Sequence, residues 1–267
     1  MPVIVLRTGT MVHVSVIGVG NMGGAFVRGL AREGSHTVTA IDADPDALAA
    51  IEPHVDEAAT DLDAARGSDV MVLAVKPDVV DAVLSDLDLG PDATLLTFAA
   101  GVAREYVAER TDAAVVRAMP NLAAETGDMA AAVTPNATDE VRALLDAVGE
   151  FVVVEESLLD TATAINGSGP AFVFYLIEAM KGAGVDGGLD PTQAEILAAQ
   201  TFRGAAETVL RDDRSVDELI DAVCSPNGTT IEGMAVLWDS DVQAEFGAAI
   251  EAARRRSREL AEAFEDE

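Results

Sequence analysis

The sequence predicts a doubly wound α/β domain followed by an all-helical domain. Three observations carry that reading. Short apolar, β-branched runs alternate with helical stretches from Val12 onward. The first such run passes through glycines directly into a helix. Almost no strand pattern remains after about Ser157. In order, VHVSVIGV (Val12–Val19) reads as a buried strand, and Gly20–Gly34 as a helix that opens and stops on glycine. HTVTAID (His36–Asp42) alternates as a second strand, and Pro45–Ile51 forms a short helix. DVMVLAV (Asp69–Val75) is nearly all apolar, as a parallel strand covered on both faces should be. A helix over about Pro77–Leu87 leads to strands four and five, Ala93–Ala100 and Ala113–Met119. AAAVTP and Phe151–Glu156 add further strands, with an antiparallel pairing allowed for them.

In the second half, Ala171–Gly184, Pro191–Leu210, Ser215–Val223, Thr229–Leu237 and Val242–Ala263 read as helices. Ser215 with Glu218 makes a capping box. The Ala171 helix is apolar nearly all round (Phe172, Val173, Phe174, Leu176, Ile177), and such a helix must be buried. Five helices of a small domain cannot easily hide it, so dimerisation through the helical domain is expected. The domains are placed at 11–157 and 158–267. Residues 1–10 precede a second methionine, Met11, and are expected to lie outside the fold.

The chain has 267 residues, of which 49% are hydrophobic, which excludes general disorder. Seventeen basic residues against 47 acidic ones leave a net charge of −30. Such a surface repels phosphate backbones and anionic lipid, so neither a nucleic acid nor a membrane is an expected partner. Only Lys76 and Lys181 are lysines; the other basic residues are arginines. This charge far exceeds the ~2–8 that keeps a small domain soluble. It fits a protein of high-salt surroundings, where the Debye length falls to about 3 Å at 1 M. A single cysteine, Cys224, excludes an intrachain disulfide or a cysteine metal cluster. No run approaches the ~20 apolar residues of a membrane span, and the N-terminal apolar run is too short for a secretory signal. A cytoplasmic location is expected.

GVGNMG (Gly18, Val19, Gly20, Asn21, Met22, Gly23) is a G-x-G-x-x-G run between a strand and a helix. In that context the glycines serve a tight turn, close approach of a pyrophosphate and helix–strand packing. The helix N-terminus then offers free N–H groups to the phosphates. Asp42 ends the second strand about 20 residues further on, where a carboxylate bonds the ribose 2′-hydroxyl of NAD and repels the 2′-phosphate of NADP. No arginine follows in Ala43, Asp44 or Pro45. A cofactor of NADH or NADPH is implied, with Asp42 favouring NADH.

Six further strings converge: AVKP (Ala74–Pro77), AAGV (Ala99–Val102), VVRAMPN (Val115–Asn121), GSGPAF (Gly167–Phe172), EAMKGAGVDGGL (Glu178–Leu189) and CSPNGTTIEGM (Cys224–Met234). In this order and spacing the chain resembles the pyrroline-5-carboxylate reductase family over about Val12–Leu260. The resemblance implies a Rossmann domain followed by an all-helical dimerisation domain. It implies hydride transfer from NAD(P)H to the imine carbon of L-1-pyrroline-5-carboxylate, giving L-proline in the last step of proline biosynthesis. It also implies homodimers, often assembled into decamers, with the active site between the two kinds of domain. Cofactor contacts carry over onto the Gly18 loop, Val75, Lys76, Pro77, Ala99 and Ala100. Substrate contacts carry over onto Ser225, Gly228, Thr229 and Thr230, with Thr230 as the imine-contacting hydroxyl, and onto Glu156. The chain departs from the family pattern at Asn227, usually glycine, at Leu122–Ala124, where a proline usually follows, and at Asp61, often asparagine.

The chemistry independently suits these residues. A protonated cyclic imine is already electrophilic, so no metal or covalent base is needed. The protein must hold the carboxylate, aim the imine carbon and supply a hydrogen-bond partner at nitrogen. In Ser225–Thr230, Pro226 shapes a turn, and the two threonines open a helix whose N–H groups suit a carboxylate. The threonines could instead merely cap that helix. His13, His36 and His54 lack ligand-spaced partners and read as structural or exposed. Cys224 reads as a packing residue, and Arg254–Glu259 as a solvated or intersubunit ion-pair face. Two alternatives remain at this point. One is a β-hydroxyacid dehydrogenase, which needs a catalytic lysine followed by asparagine; only Lys181 is available, and no asparagine stands at that offset. The other is a non-catalytic nucleotide-binding regulatory protein.

Overall fold

The structure is a computed structural model that describes residues 10–265. Apart from Thr10, the expected N-terminal extension lies outside the described residues. The described chain forms two compact units, one running to Gly167 and including the segment from Ala253, the other spanning Ser168–Ala252. The boundary placed at Ser157 falls earlier than this division, and the end of the last helix groups with the first unit.

The first unit is built on an eight-stranded sheet: β1 (His13–Ile17), β2 (Thr37–Ile41), β3 (Glu57–Ala59), β4 (Val70–Leu73), β5 (Thr94–Thr97), β6 (Ala114–Met119), β7 (Met129–Val133) and β8 (Gly149–Val153). The spatial order is β3-β2-β1-β4-β5-β6-β7-β8. The first six strands are parallel, with Ile17 beside both Ile41 and Leu73. β7 runs antiparallel to β6, and β8 parallel to β7. The helices are α1 (Asn21–Glu33), α2 (Pro45–Ile51), α3 (Val80–Asp86), α4 (Arg104–Ala108), α5 (Asp139–Val148) and α6 (Leu159–Ala162). Strand order reverses between β1 and β4, and in open α/β sheets ligands bind beyond the strand ends at such a point.

The near-continuous apolar strands follow from burial on both faces. Val14, Val16, Val72, Leu96 and Val116 enter one cluster with Phe26, Leu30 and Leu144. Their neighbours Ile17, Met71, Leu73, Leu95 and Val115 enter the opposite one with Val80 and Val107. Successive strand side chains point to opposite faces, so each cluster takes alternate residues. Phe26 meets Phe98 edge-on, with ring centroids 5.2 Å apart.

The structure adds elements that the sequence reading did not predict: β3, α4, α5 and α6. In α5, Thr138 Oγ1 accepts the Val141 N–H, and the helix buries Val141, Leu144, Leu145 and Val148. β3 carries only the sequence EAA and exists by pairing with β2.

The second unit contains α7 (Gly169–Asp186), α8 (Pro191–Arg211), α9 (Val216–Val223), α10 (Thr229–Trp238) and α11 (Val242–Glu265) as far as Ala252. The expected capping box of Ser215 with Glu218 forms on α9, and the structure adds a second, Asp190 with Gln193, on α8. This unit has almost no interior within one chain. Only Ala194 and Ala198 among its described hydrophobic residues are buried, while Phe174, Tyr175, Leu210 and Val236 are about seven-tenths exposed. No described helix is long and apolar enough to cross a membrane.

Candidate active site

The β1–α1 turn, the end of β2 and the segment after β4 enclose a cavity of about 660 Å³. Gly18, Gly20, Asp42, Val75 and Lys76 line it, with Thr60, Leu62, Val79 and Val83 among the other walls. Gly18 has φ +87°, and a Cβ there would lie 2.7 Å from Val75 Cγ1. A Cβ on Gly23 would lie 1.9 Å from the Gly18 carbonyl oxygen, so the strand and α1 can meet only without one. A Cβ on Gly20 would touch nothing within 4 Å: the space in front of that residue is open. Gly20 is the N-cap of α1, and no side chain caps the helix. The first-turn N–H groups therefore have no side-chain acceptor, and an anionic group fits there. The cavity and its uncapped helix fit a dinucleotide.

Asp42 has both carboxylate oxygens engaged by backbone. Oδ2 accepts the Val19 N–H at 2.8 Å, and Oδ1 accepts the Asp44 N–H at 2.9 Å. The charge is thus held at the cavity wall in one orientation. Asp61 accepts the Asp63 N–H at 2.9 Å and caps the short helical turn Leu62–Ala65. Ala99 is buried beyond β5, and Ala100 is exposed. These two, with Val19, Asn21, Met22, Gly23 and Pro77, do not line the 660 Å³ cavity.

Ser225, Gly228, Thr229 and Thr230 lie together in the second unit. The Gly228 N–H donates to the Ser225 carbonyl at 3.0 Å, closing a turn over Pro226 and Asn227. Asn227 has φ +59° and is the sole non-glycine residue at positive φ among the described residues. Proline second and positive φ third is the pattern of a type II turn. Asparagine tolerates that region better than most residues, so the loop keeps its turn without the family's usual glycine. Gly228 is the N-cap of α10, and no side chain caps it. The N-cap position is thus taken by Gly228, and Thr229 and Thr230, both exposed, are the first two residues of the helix.

Glu156 lies in the first unit. Its Oε1 accepts the Arg104 N–H at 2.7 Å and Arg117 Nη1 at 3.1 Å. Arg117 was not singled out from the sequence, yet it is a buried cation on β6 whose Nε finds no acceptor among the described residues. Asn166 was also missed. Its Nδ2 donates to the carbonyls of Met119 at 2.6 Å and Ala130 at 2.8 Å, tying a π-helical turn (Thr163–Gly167) to β6 and β7. The position of Asn166 just before the GSGPAF string was its one signal in the sequence.

The segment from Glu156 to Leu260 matches the family described as pyrroline-5-carboxylate reductase dimerisation. Residues 13–101 match NADP oxidoreductase, coenzyme F420-dependent. The chain is 39% identical to the pyrroline-5-carboxylate reductase of Methanosarcina acetivorans, over 92% of this chain and 97% of that one. This chain belongs to the pyrroline-5-carboxylate reductase family. Solved structures agree with that membership. A pyrroline-5-carboxylate reductase from Coxiella burnetii superposes with a TM-score of 0.85 at 29% identity, covering 94% of this chain and 99% of that one. A pyrroline carboxylate reductase from Plasmodium falciparum with NADP bound gives 0.79 at 25% identity, covering 94% and 100%.

For a pyrroline-5-carboxylate reductase, the remaining polar groups fall into supporting places. Lys181, which a dehydrogenase reading would need as its base, donates to Glu195 at 2.9 Å and Glu178 at 3.2 Å. Those two carboxylates raise its pKa, opposite to what a general base requires. His36 is half-buried, accepts the Val12 N–H at Nδ1, and has its pKa lowered by desolvation against a smaller opposing pull from Glu33. His13 Nε2 sits 3.2 Å from Thr39 Oγ1, and His54 is exposed. No metal-binding group of three or more His, Cys, Asp or Glu side chains occurs among the described residues.

Proposed function

We propose that this chain reduces L-1-pyrroline-5-carboxylate to L-proline with a nicotinamide cofactor, and that the Ser225–Thr230 turn holds the substrate. The observation that carries the reading is the uncapped start of α10 behind that turn. The dinucleotide cavity is common to many oxidoreductases, whereas this loop belongs to the reductase strings. The backbone N–H groups at the start of α10 take the substrate carboxylate. The Thr230 hydroxyl orients the ring nitrogen by hydrogen bonding. An aliphatic hydroxyl is a poor acid, so water delivers the proton. When bound, the dinucleotide supplies the hydride that adds to the imine carbon. Gly18, Gly20 and the first turn of α1 hold its pyrophosphate, and Val75, Lys76 and Pro77, with Ala99 and Ala100, complete its seat.

NADH is the preferred cofactor in this reading. A 2′-phosphate would meet the fixed Asp42 carboxylate, with Asp44 beside it, in a cavity lined by Lys76 but by no arginine. The second unit is a dimerisation domain, and we assign the functional species as at least a homodimer, with decamers as a higher assembly. Exposed Phe174, Tyr175 and Leu210 need a covering surface, and another copy of the same unit supplies one.

The test is nicotinamide oxidation with pyrroline-5-carboxylate in about 2–3 M KCl, which screens the acidic surface. Turnover faster with NADH than with NADPH is expected. A folded, NADH-binding protein that leaves this imine unreduced refutes the reading. Turnover faster with NADPH refutes the role of Asp42.

A further inference from the structure

The loop after β5 is anchored at its near end by the sheet and at its far end by segments distant in sequence. Its residues Ala99 and Ala100 are the ones assigned to the cofactor. Phe98 still donates to the Leu73 carbonyl at 2.9 Å, and the Ala99 N–H is 3.2 Å from Thr97 Oγ1, so the near end is part of the sheet. The chain then turns at Gly101, with φ +76°. A Cβ at Gly101 would lie 3.3 Å from the backbone of Leu260 and Ala261, on the last turns of α11. Two residues into α4, the Tyr106 ring meets Phe264 edge-on at 4.9 Å, and the Tyr106 hydroxyl donates to Asp81 at 2.7 Å. On the other side, Glu156 grips the Arg104 N–H. The end of α11 thus bears on the turn and on the helix that follows it, and exposed Ala100 sits on a loop whose supports are all specified.

We propose that the last turns of α11, acting through Leu260, Ala261 and Phe264, are a positioning element that sets where Ala99 and Ala100 meet the dinucleotide. The assignment rests on the reductase reading above. Phe264 touches no reacting group; it acts through Tyr106 and α4. A displacement on the order of 1 Å in such a support can cost as much as a hundredfold in rate, so a moderate effect on cofactor affinity is expected from its loss.

The experiment compares Phe264→Ala, Phe264→Tyr and Gly101→Ala with Leu145→Ala, a buried α5 residue in the opposite cluster. NADH affinity is read by fluorescence titration, alongside KM for each substrate, kcat and the melting temperature. Phe264→Ala should weaken NADH binding and raise its KM by about tenfold with the imine KM unchanged. Phe264→Tyr should restore both. Leu145→Ala should lower the melting temperature while leaving NADH affinity intact. If Gly101→Ala does not fold, Phe264→Ala carries the test alone. A folded Phe264→Ala protein that loses stability but binds NADH as the wild type does overturns the positioning assignment alone. Wild-type protein that binds neither dinucleotide overturns the reductase reading and this assignment with it.

Discussion

Replacing Glu156 by Gln removes one charge and changes the shape very little. The amide oxygen can still accept the Arg104 N–H, now 2.7 Å from Oε1. Arg117 is the residue that suffers. Its side chain is only 9% exposed, its Nη1 lies 3.1 Å from Glu156, and its Nε has no acceptor among the described residues. Removing one partner of a fully buried pair costs about 3–5 kcal/mol, because the other charge is left uncompensated. An exposed pair is worth about 0–1 kcal/mol. Glu156 is 32% exposed, so water screens part of the interaction. The expected loss is therefore about 2 kcal/mol, midway between those limits. For a domain of this size that lowers the melting temperature by about 4–8 °C. Scanning calorimetry at pH 7 measures it. Arg104→Met should cost much less, since Arg104 is 39% exposed and its longer contact to Glu156 spans 3.5 Å. Arg117→Met combined with Glu156→Gln should recover much of the loss, because no buried charge then remains. If Glu156→Gln melts within about 1 °C of the wild type, the uncompensated-charge argument is wrong.

Thr230→Val should lower kcat by roughly a hundredfold while NADH affinity is unchanged, because only orientation of the ring nitrogen is lost; equal kcat values would return Thr230 to a structural role. Stability should fall as pH drops below the ordinary histidine range near 6.5, because burial lowers the His36 pKa and the folded state binds this proton less readily than the unfolded chain. Its contribution is fully present above that range and is lost on acidification. His36→Gln, which keeps an acceptor for Val12, should flatten the dependence between about pH 7.5 and 5, and denaturant melts of both proteins with identical slopes would show that His36 does not titrate there.

Much of this protein is written in local pattern. The sheet strands β1, β4, β5 and β6 announce themselves as largely apolar runs, because each is buried on both faces, and β2 as an alternating, β-branched one. The dinucleotide turn is legible because a strand, a glycine fingerprint and a helix must follow one another directly in sequence. The capping box at Ser215 spans a single helical turn, and the Ser225–Thr230 loop is likewise local. Even α5 is present in the sequence, as Val141, Leu144, Leu145 and Val148 at helical spacing between two strand-like runs.

Other features depend on residues brought together from distant parts of the chain. Glu156 could be carried over from a resemblance, but its grip on Arg104 and Arg117 spans 52 and 39 residues. Asn166 bonds β6 and β7 across 47 and 36 residues. β3 has no apolar signal and exists because β2 offers it an edge. The end of α11 reads as one more helical stretch, yet its seat is on Gly101 and Tyr106. Periodicity and turn chemistry act over a few residues and survive in the bare sequence. Ion pairs and backbone contacts between remote segments depend on which surfaces the sheet order brings together, and only the folded chain specifies those.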